Sequence, residues 1–321
     1  MSNIIDITEE LEGGRLDRLL KKQFPQLSHG AIQKMLRTGQ IRINGKRIKG
    51  SIRLEKGQSL RIPPRTSEEE VPKKKAIYLT QKEKQLLKDL MLYEDKDMIV
   101  LDKPSGLATQ GGSKTLQHVD RLMEGMIDEN GIKPKLVHRL DKNTSGLLLL
   151  AKTDKMATYL ARAFQEKKIE KTYWAITIGV PKPLEGEIDL PLLKKRGDIG
   201  EQMVVDHKDG KKAITRYRVI DHAHKKAAWL EMVPLTGRTH QLRAHCQAMG
   251  TPVQGDRKYG RRKDFLKGDD ISELMHLHAR TLKVPMPSGK IMSFQSPLPD
   301  HMKQTFKALG FKETDAKETK P

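Results

Sequence analysis

The sequence predicts an α+β protein: a large domain built on a mixed, mainly antiparallel sheet, preceded by a small α/β module. Three observations lead there. From Tyr93 to about Gly310, strand and hairpin signals outnumber helical ones and do not alternate with them regularly, which argues against a doubly wound sheet. Residues 66–76, TSEEEVPKKKA, have no apolar period and carry blocks of opposite charge, so they read as a linker. Ahead of it, residues 1–65 hold 14 Lys+Arg against six Asp+Glu, and from Gln26 to Arg65 the one acid is Glu55. The expected organisation is a module over 1–65, the linker 66–76, a main domain over 77–310 and a disordered tail over 311–321.

Each element has a local reason. RLDRLLKKQF (15–24) places Leu16, Leu19, Leu20 and Phe24 on one helical face. Ser28 is a good N-cap for a second helix, Ala31–Arg37, which Gly39 ends. IRINGKRI (41–48) alternates apolar and basic residues around Asn44-Gly45, a strong hairpin signal, and SLRIP (59–63) is a short closing strand. Thr80 and Glu83 form a capping box that opens a helix to about Leu90. MIVLDKPSG (98–106) is a strand ending in a turn, and Gly146–Ala151 a short buried strand. Thr153 caps a helix over Asp154–Lys167 with Met156, Ala157, Leu160 and Phe164 inward. KTYWAITIG (171–179) alternates, with Tyr173, Ala175 and Thr177 on one face. A further helix spans about His240–Met249 and is closed by Gly250.

Charge and composition bound the function. The 321 residues carry a formal net charge of +20, which points to a polyanionic partner, most commonly nucleic acid. One cysteine, Cys246, excludes an internal disulfide framework and fits a reducing compartment. The longest unbroken apolar run, Leu147–Ala151, is far short of a membrane span, and MSNIIDITEELEGG lacks the apolar segment of a signal peptide. A cytoplasmic protein, acting as a monomer, is expected.

Three stretches hold residues able to do chemistry. In VHRLDKNTSGLLLLAKT (137–153), Asp141 sits between Arg139 and Lys142 at the mouth of the buried strand. A carboxylate beside an arginine stays ionised, and an oriented carboxylate is a usable nucleophile. Taken alone, the stretch reads more simply as a loop pinned by an ion pair. In PLTGRTHQLRAHCQAMGTPVQGDRKYG (234–260), a turn with Arg238 feeds the helix bearing Arg243. Either arginine is placed to meet Asp141 or a phosphate; the plainer reading is a solvated loop charge and a solvated helix face. Tyr173 is either an edge-of-core aromatic or a ring that stacks on a base. His240 with His245, and His276 with His278, raise a metal site, but no carboxylate or cysteine accompanies them at ligand spacing, so structural histidines are expected. No phosphate-binding, dinucleotide or serine-hydrolase motif is present.

Residues 13–64, on RLDRLL, the helix before Gly39 and the INGKR hairpin, resemble the S4 RNA-binding module. HRLDKNTSG followed by its apolar strand resembles the signature of the RluA-type pseudouridine synthases. YEDKDMIVLDKPSGLATQGG, KTYWAITIG and TGRTHQLRAHCQAMGTPVQGD match that family's other blocks in order, over about 93–299. The resemblance implies the pseudouridine synthase fold and the isomerisation of uridine in RNA, with ribosomal RNA the expected partner. It implies Asp141 as the catalytic aspartate, Arg243 as its basic partner, and Tyr173 stacked on the uracil near the C5 proton. It also implies that Arg139 fills the gap left by a flipped uridine. His138, Arg238 and His240 are expected to line the substrate site, and Arg37, Arg42, Lys46 and Arg47 to bind RNA. Isomerisation adds and removes nothing, so no cofactor and no metal is expected. A non-catalytic RNA-binding or ribosome-assembly protein is the alternative, and a metal-dependent nuclease or deaminase a distant third.

Overall fold

The computed structural model describes residues 3–24, 27, 29–63, 79–111, 117–129, 131–197 and 200–316. The expected cap at Ser28, the linker 66–76 and the last five residues of the tail lie outside these. The chain divides into two compact units, Met1–Ile77 and Tyr78–Pro321.

The first unit runs β1 (Asn3–Asp6), α1 (Leu16–Gln23), α2 (His29–Thr38), β2 (Arg42–Ile43), β3 (Lys46–Arg47) and β4 (Ser59–Ile62). Its sheet has the order β1-β4-β2-β3. Leu16, Leu19 and Leu20 from α1 and Ile32 and Leu36 from α2 bury against Ile43, Leu60 and Ile62 of the sheet. Asn44 and Gly45 both take positive φ, 48° and 74°, as the two-residue hairpin turn requires. Asn44 Oδ1 accepts from the Ser59 amide at 2.8 Å, tying the turn to β4.

The second unit opens with α3 (Gln81–Leu90), β5 (Met91–Glu94), β6 (Met98–Lys103), α4 (Val119–Leu122), β7 (Lys135–Leu136) and β8 (Ser145–Ala151). It continues through α5 (Asp154–Gln165), β9 (Glu170–Ile178), β10 (Glu185–Asp189), β11 (Leu192–Gly197), β12 (Gly200–Val205), β13 (Ile214–Ala223) and β14 (Ala227–Pro234). It closes with α6 (Gln241–Ala248), β15 (Leu277–Pro285), β16 (Ile291–Gln295) and α7 (Asp300–Leu309). The capping box at Thr80 is formed in full.

The main sheet has the order β10-β13-β14-β9-β15-β8-β6-β5, with β16 beside β15 and β7 beside β8. Every pairing in it is antiparallel except β15 with β8, which pairs only His278 with Ser145 and Ala279 with Gly146. The α+β, mainly antiparallel expectation is the observed architecture. Both faces of the sheet are covered, so the central strands are buried on alternate sides. On one face Ile99, Leu101, Leu148 and Leu150 pack with Val119 and Leu122 of α4. Further along that face Ala175, Leu230 and Met232 meet Leu242 and Cys246 of α6. On the other, Leu147 and Leu149 meet Met156 and Leu160 of α5, while Trp174 and Trp229 meet Met302 and Phe306 of α7.

Gly146 marks the parallel seam. Its φ is +102°, and a Cβ there would lie 2.3 Å from the Ala279 carbonyl oxygen, so only glycine lets β8 approach β15. Residues 311–316, expected to belong to a disordered tail, are ordered. Phe311 is buried beside Trp229, and Glu313 pairs with the buried Arg280 at 2.7 Å. An aromatic anchor and an ion pair order this stretch, which polar composition alone does not reveal.

Candidate active site

The Asp141 loop is fixed by its backbone. Thr109 Oγ1 donates to the Leu140 carbonyl at 2.8 Å and accepts from the Leu140 amide at 3.2 Å. Lys103, fully buried at the end of β6, donates to the carbonyls of Pro104, Leu107 and Lys142 at 2.9, 2.8 and 3.1 Å. Burial lowers the Lys103 pKa to about 7, against the opposing pull of Asp141 and Asp102. The Gly106 amide donates to the Lys142 carbonyl, Ser105 Oγ to the Asn143 carbonyl, and Leu140 sits in the core beneath. These bonds leave Asp141 on a rigid ledge at the entrance to β8, with its side chain 19% exposed.

The helix α6 brings the partner. Gln241 is buried and bonds four ways: its Oε1 accepts from Thr236 and the Arg238 amide, and its Nε2 donates to Ile214 and Thr215. That anchors the first turn to β13. His240, at the helix entry, takes the left-handed conformation with φ 52°. Arg243, one turn in, is 6% exposed and reaches Asp141 Oδ2 through Nη1 at 3.1 Å. The solvated-face reading of Arg243 fails because its other edge is held by buried Asp256, Nε at 2.6 Å and Nη2 at 2.8 Å. Burial works against the guanidinium charge, but Asp256, with Asp141 behind it, holds the Arg243 pKa above the usual arginine range. The face of Tyr259 lies 5.0 Å from the guanidinium, and its hydroxyl bonds His240 Nδ1 at 2.9 Å. His240 Nε2 stands 3.8 Å from Asp141, and burial lowers the His240 pKa.

Tyr173 completes the group from the sheet. It pairs with Ala279, which pairs with Gly146, so Tyr173 is two strands from the start of β8, roughly 10 Å at about 4.8 Å per strand. Burial, then Asp141, raises the Tyr173 pKa, so the phenol stays protonated. A cavity of about 510 Å³ is lined by Arg139, Asp141, Lys167, Lys171, Tyr173, Arg238 and Arg243, among others, and among the described residues Asp141 is its only carboxylate. A second, of about 770 Å³, shares Arg139, Asp141, His240 and Arg243 with it and extends along Ala108–Gly111 and Lys142.

The other expected site residues divide. Arg139 is exposed and lines both cavities. Arg238 lines the first, with Nε on the Lys212 carbonyl at 3.0 Å. His138 lines it too, yet its Nε2 accepts from the Leu149 amide at 2.8 Å and its ring stacks on Phe164. An acceptor nitrogen must be unprotonated, in keeping with a pKa lowered to about 3 by burial and by Lys171. His138 therefore staples its loop to β8. In the first unit Arg37, Lys46 and Arg47 are exposed, whereas Arg42 donates to the carbonyls of Gly39 and Gly45 and braces its own hairpin.

Three of the four paired histidines, His245, His276 and His278, are structural. His245 bonds Thr215 and the Leu190 carbonyl; His276 bonds the Leu274 carbonyl and Thr305; His278 bonds Ser145 and the Ser296 carbonyl. With both ring nitrogens engaged, none offers a lone pair to a metal. No metal-binding group of three or more His, Cys, Asp or Glu occurs among the described residues. Among them too, no helix is long and apolar enough to cross a membrane.

Lys103, Thr109, Asp256 and Tyr259 were not singled out by sequence reasoning. A signal existed for two of them. Asp256 and Tyr259 belong to the same block as Arg243 and lie between Gly255 and Gly260.

Comparison with known proteins agrees with this geometry. Residues 97–248 match the model of the family described as RNA pseudouridylate synthase, and residues 14–60 match that of the S4 domain. The chain is 36% identical to ribosomal large subunit pseudouridine synthase C of Rickettsia bellii, over 89% of this chain and 95% of that one. It is 35% identical to the protein of that name from Escherichia coli O157:H7, over 95% and 96% of the two chains. The solved structure of human RNA pseudouridylate synthase domain containing 4 superposes with a TM-score of 0.59 at 27% identity, covering 71% of this chain and 97% of that one. With Asp141 held by the buried Arg243 inside the matched region, the chain belongs to the RNA pseudouridylate synthase family and carries an S4 domain ahead of its synthase region.

Proposed function

We propose that the protein isomerises specific uridines of large-subunit ribosomal RNA to pseudouridine, with Asp141 as the nucleophile. The observation that carries this reading is the cavity in which Asp141 is the one carboxylate, Tyr173 lines the wall, and five cations surround them. A polyanion is drawn to such a pocket, and a single carboxylate is enough for a reaction that exchanges one ribose bond for another. The uridine leaves its stack at a cost of roughly a few kcal/mol, and Arg139, exposed at the rim, takes its place. Asp141 then bonds to C1′ or C6 of the nucleoside. The N1–C1′ bond breaks, the base turns against the Tyr173 ring, C5 bonds to C1′, and the bond to Asp141 breaks again, returning the carboxylate. The proton leaving C5 is matched by one gained at N1, so no co-reactant enters the balance.

The substrate class follows from the relatives named above and from the S4 domain, whose exposed Arg37, Lys46 and Arg47 suit an RNA backbone. Every residue invoked comes from one chain, so the reading needs no second copy. A ribosomal RNA substrate supports a cytoplasmic location.

Chemical mapping of pseudouridine in ribosomal RNA tests the proposal, using cells that lack the protein. The sites it modifies should be lost, return with the wild-type chain, and stay absent with Asp141→Asn. Restoration by Asp141→Asn ends the catalytic assignment.

A further inference from the structure

The cavity wall holds a cation that the fold does not neutralise. Arg243 is held by carboxylates and Arg238 by the Lys212 carbonyl, while Arg139 and Lys167 stand exposed in water. Lys171 is neither paired nor exposed. It is half-buried, and among the described residues its ammonium makes no hydrogen bond and no ion pair. The Phe164 ring, 5.9 Å from Nζ to its centroid, is the nearest compensation. His138 beside it accepts at Nε2 from the Leu149 amide, so its other ring nitrogen carries the proton and offers Lys171 no acceptor. Burial lowers the Lys171 pKa, and no acid opposes that shift, whereas Asp141 and Asp102 oppose it at Lys103. By contrast Lys168, three residues earlier, is paired with Glu166 at 2.8 Å. A desolvated ammonium without an acceptor weakens a fold, so folding alone gives no reason for a lysine here.

We propose that Lys171 binds the phosphate of the flipped uridine's own nucleotide. It precedes Tyr173 by two residues in β9, so both side chains leave the sheet on one side, from α-carbons roughly 7 Å apart. A nucleotide spans a similar distance between its base and its phosphate. A uracil lying on Tyr173 therefore sets its phosphate at the Lys171 ammonium, with the ribose between the two. The phosphate supplies the counter-charge that the chain omits. The contact also answers a need of the reaction. Once the N1–C1′ bond breaks, the base turns while the ribose has to hold still, and a ribose moored through its phosphate does so. The substrate is then a nucleotide within a chain, and free uridine lacks the handle. The inference rests on the reading of this cavity as a uridine site.

The test compares Lys171→Met and Lys171→Arg with the wild-type chain in two ways. One is thermal unfolding without RNA. The other is the second-order rate constant of single turnover on transcribed large-subunit ribosomal RNA, measured across a range of salt. Lys171→Met keeps the stem and removes the charge, so it should melt no lower than wild type. Its rate constant should fall about 10- to 100-fold, the loss of one charge-assisted contact. Its log–log salt dependence should become shallower by about 0.7, the share of one phosphate on a single strand. Lys171→Arg keeps the charge and should stay within about fivefold of wild type with the slope unchanged. A Lys171→Met chain that unfolds, or melts more than about 3 °C below wild type, marks a structural lysine and overturns the proposal. So does a Lys171→Met rate constant within about threefold of wild type, an unaltered salt slope, or an equal loss in Lys171→Arg. If the wild-type chain forms no pseudouridine in this RNA, the uridine reading falls and the subsite with it. An active wild type beside an unimpaired Lys171→Met removes the subsite alone.

Discussion

Arg243→Met should destabilise the synthase unit far more than a typical surface arginine would. Met has similar reach and keeps contact with the Tyr259 ring, so much of the packing volume is conserved. The damage is electrostatic. Asp256, with a fully buried side chain, loses two of its four bonds and its counter-charge together, keeping only the amides of Lys258 and Tyr259. Stranding a buried charge in this way costs about 3–5 kcal/mol. Counting two lost charge-assisted bonds at about 1.5–3 kcal/mol each gives the same range. Asp141 also loses its donor, but its partly exposed side chain can regain water. For a domain of roughly 150–250 residues this is a Tm drop of about 6–20 °C. Adding Asp256→Asn to Arg243→Met removes the stranded charge and should recover most of the loss. Thermal unfolding of the two variants and the wild type measures both effects. A drop under about 3 °C for the single variant, or no recovery in the double, refutes the account of Arg243 as the counter-charge of Asp256.

Acid should weaken the fold through buried histidines. His138, His276 and His278 have pKa values lowered to about 3, chiefly by burial, against about 6.5 in an unfolded chain. A depressed folded value means the unfolded state binds more protons, so stability is complete above about pH 6.5 and declines as pH falls toward 3. Unfolding at pH 5 should take up about three protons through these groups, read from the pH dependence of the unfolding free energy; uptake below about one contradicts the burial argument. In the S4 domain, Arg37, Lys46 and Arg47 should contribute to RNA affinity through phosphate contacts. Replacing all three by alanine should flatten the log–log salt dependence of RNA binding by about 2, and an unchanged slope shows that RNA does not lie on this face.

Local signals were the legible part of this sequence. The Thr80–Glu83 capping box, the Asn44-Gly45 turn and the glycines that end α2 and α6 each depend on a few neighbouring residues, and all appear where expected. So does the buried strand after Asp141. The order of strands was not legible, because the position of β15 between β9 and β8 is set by pairings more than a hundred residues apart. The site was legible for the same reason in part. Asp141 and Arg243 belong to long, distinctive stretches, but whether Arg243 faces solvent or core depends on Asp256, whose role only the fold displays. Lys103 is the extreme case. A lysine after a strand reads as surface, yet three carbonyls converge on its ammonium and draw it inside. His138 and Arg42 show the converse, being polar residues at the right address whose hydrogen-bonding groups are already engaged by backbone.

The two-rung parallel seam between β8 and β15 has a mechanical meaning. Asp141 rides on the β5–β8 side of that joint, while Tyr173 and Arg243 ride on the β9–β15 side. The backbone ladder there is only two pairs long, far shorter than those on either side of it along the sheet. What clamps the halves together is side-chain mortar: the Ser145–His278 bond and the apolar layers that run Leu147 and Leu149 into Leu282 and Val284. A slip of a fraction of an ångström along this joint leaves each half intact but changes the gap between the Asp141 carboxylate and the Arg243 guanidinium. Activity is thus geared to the shear stiffness of one seam, and mild denaturant or heat should silence the enzyme before either half begins to melt.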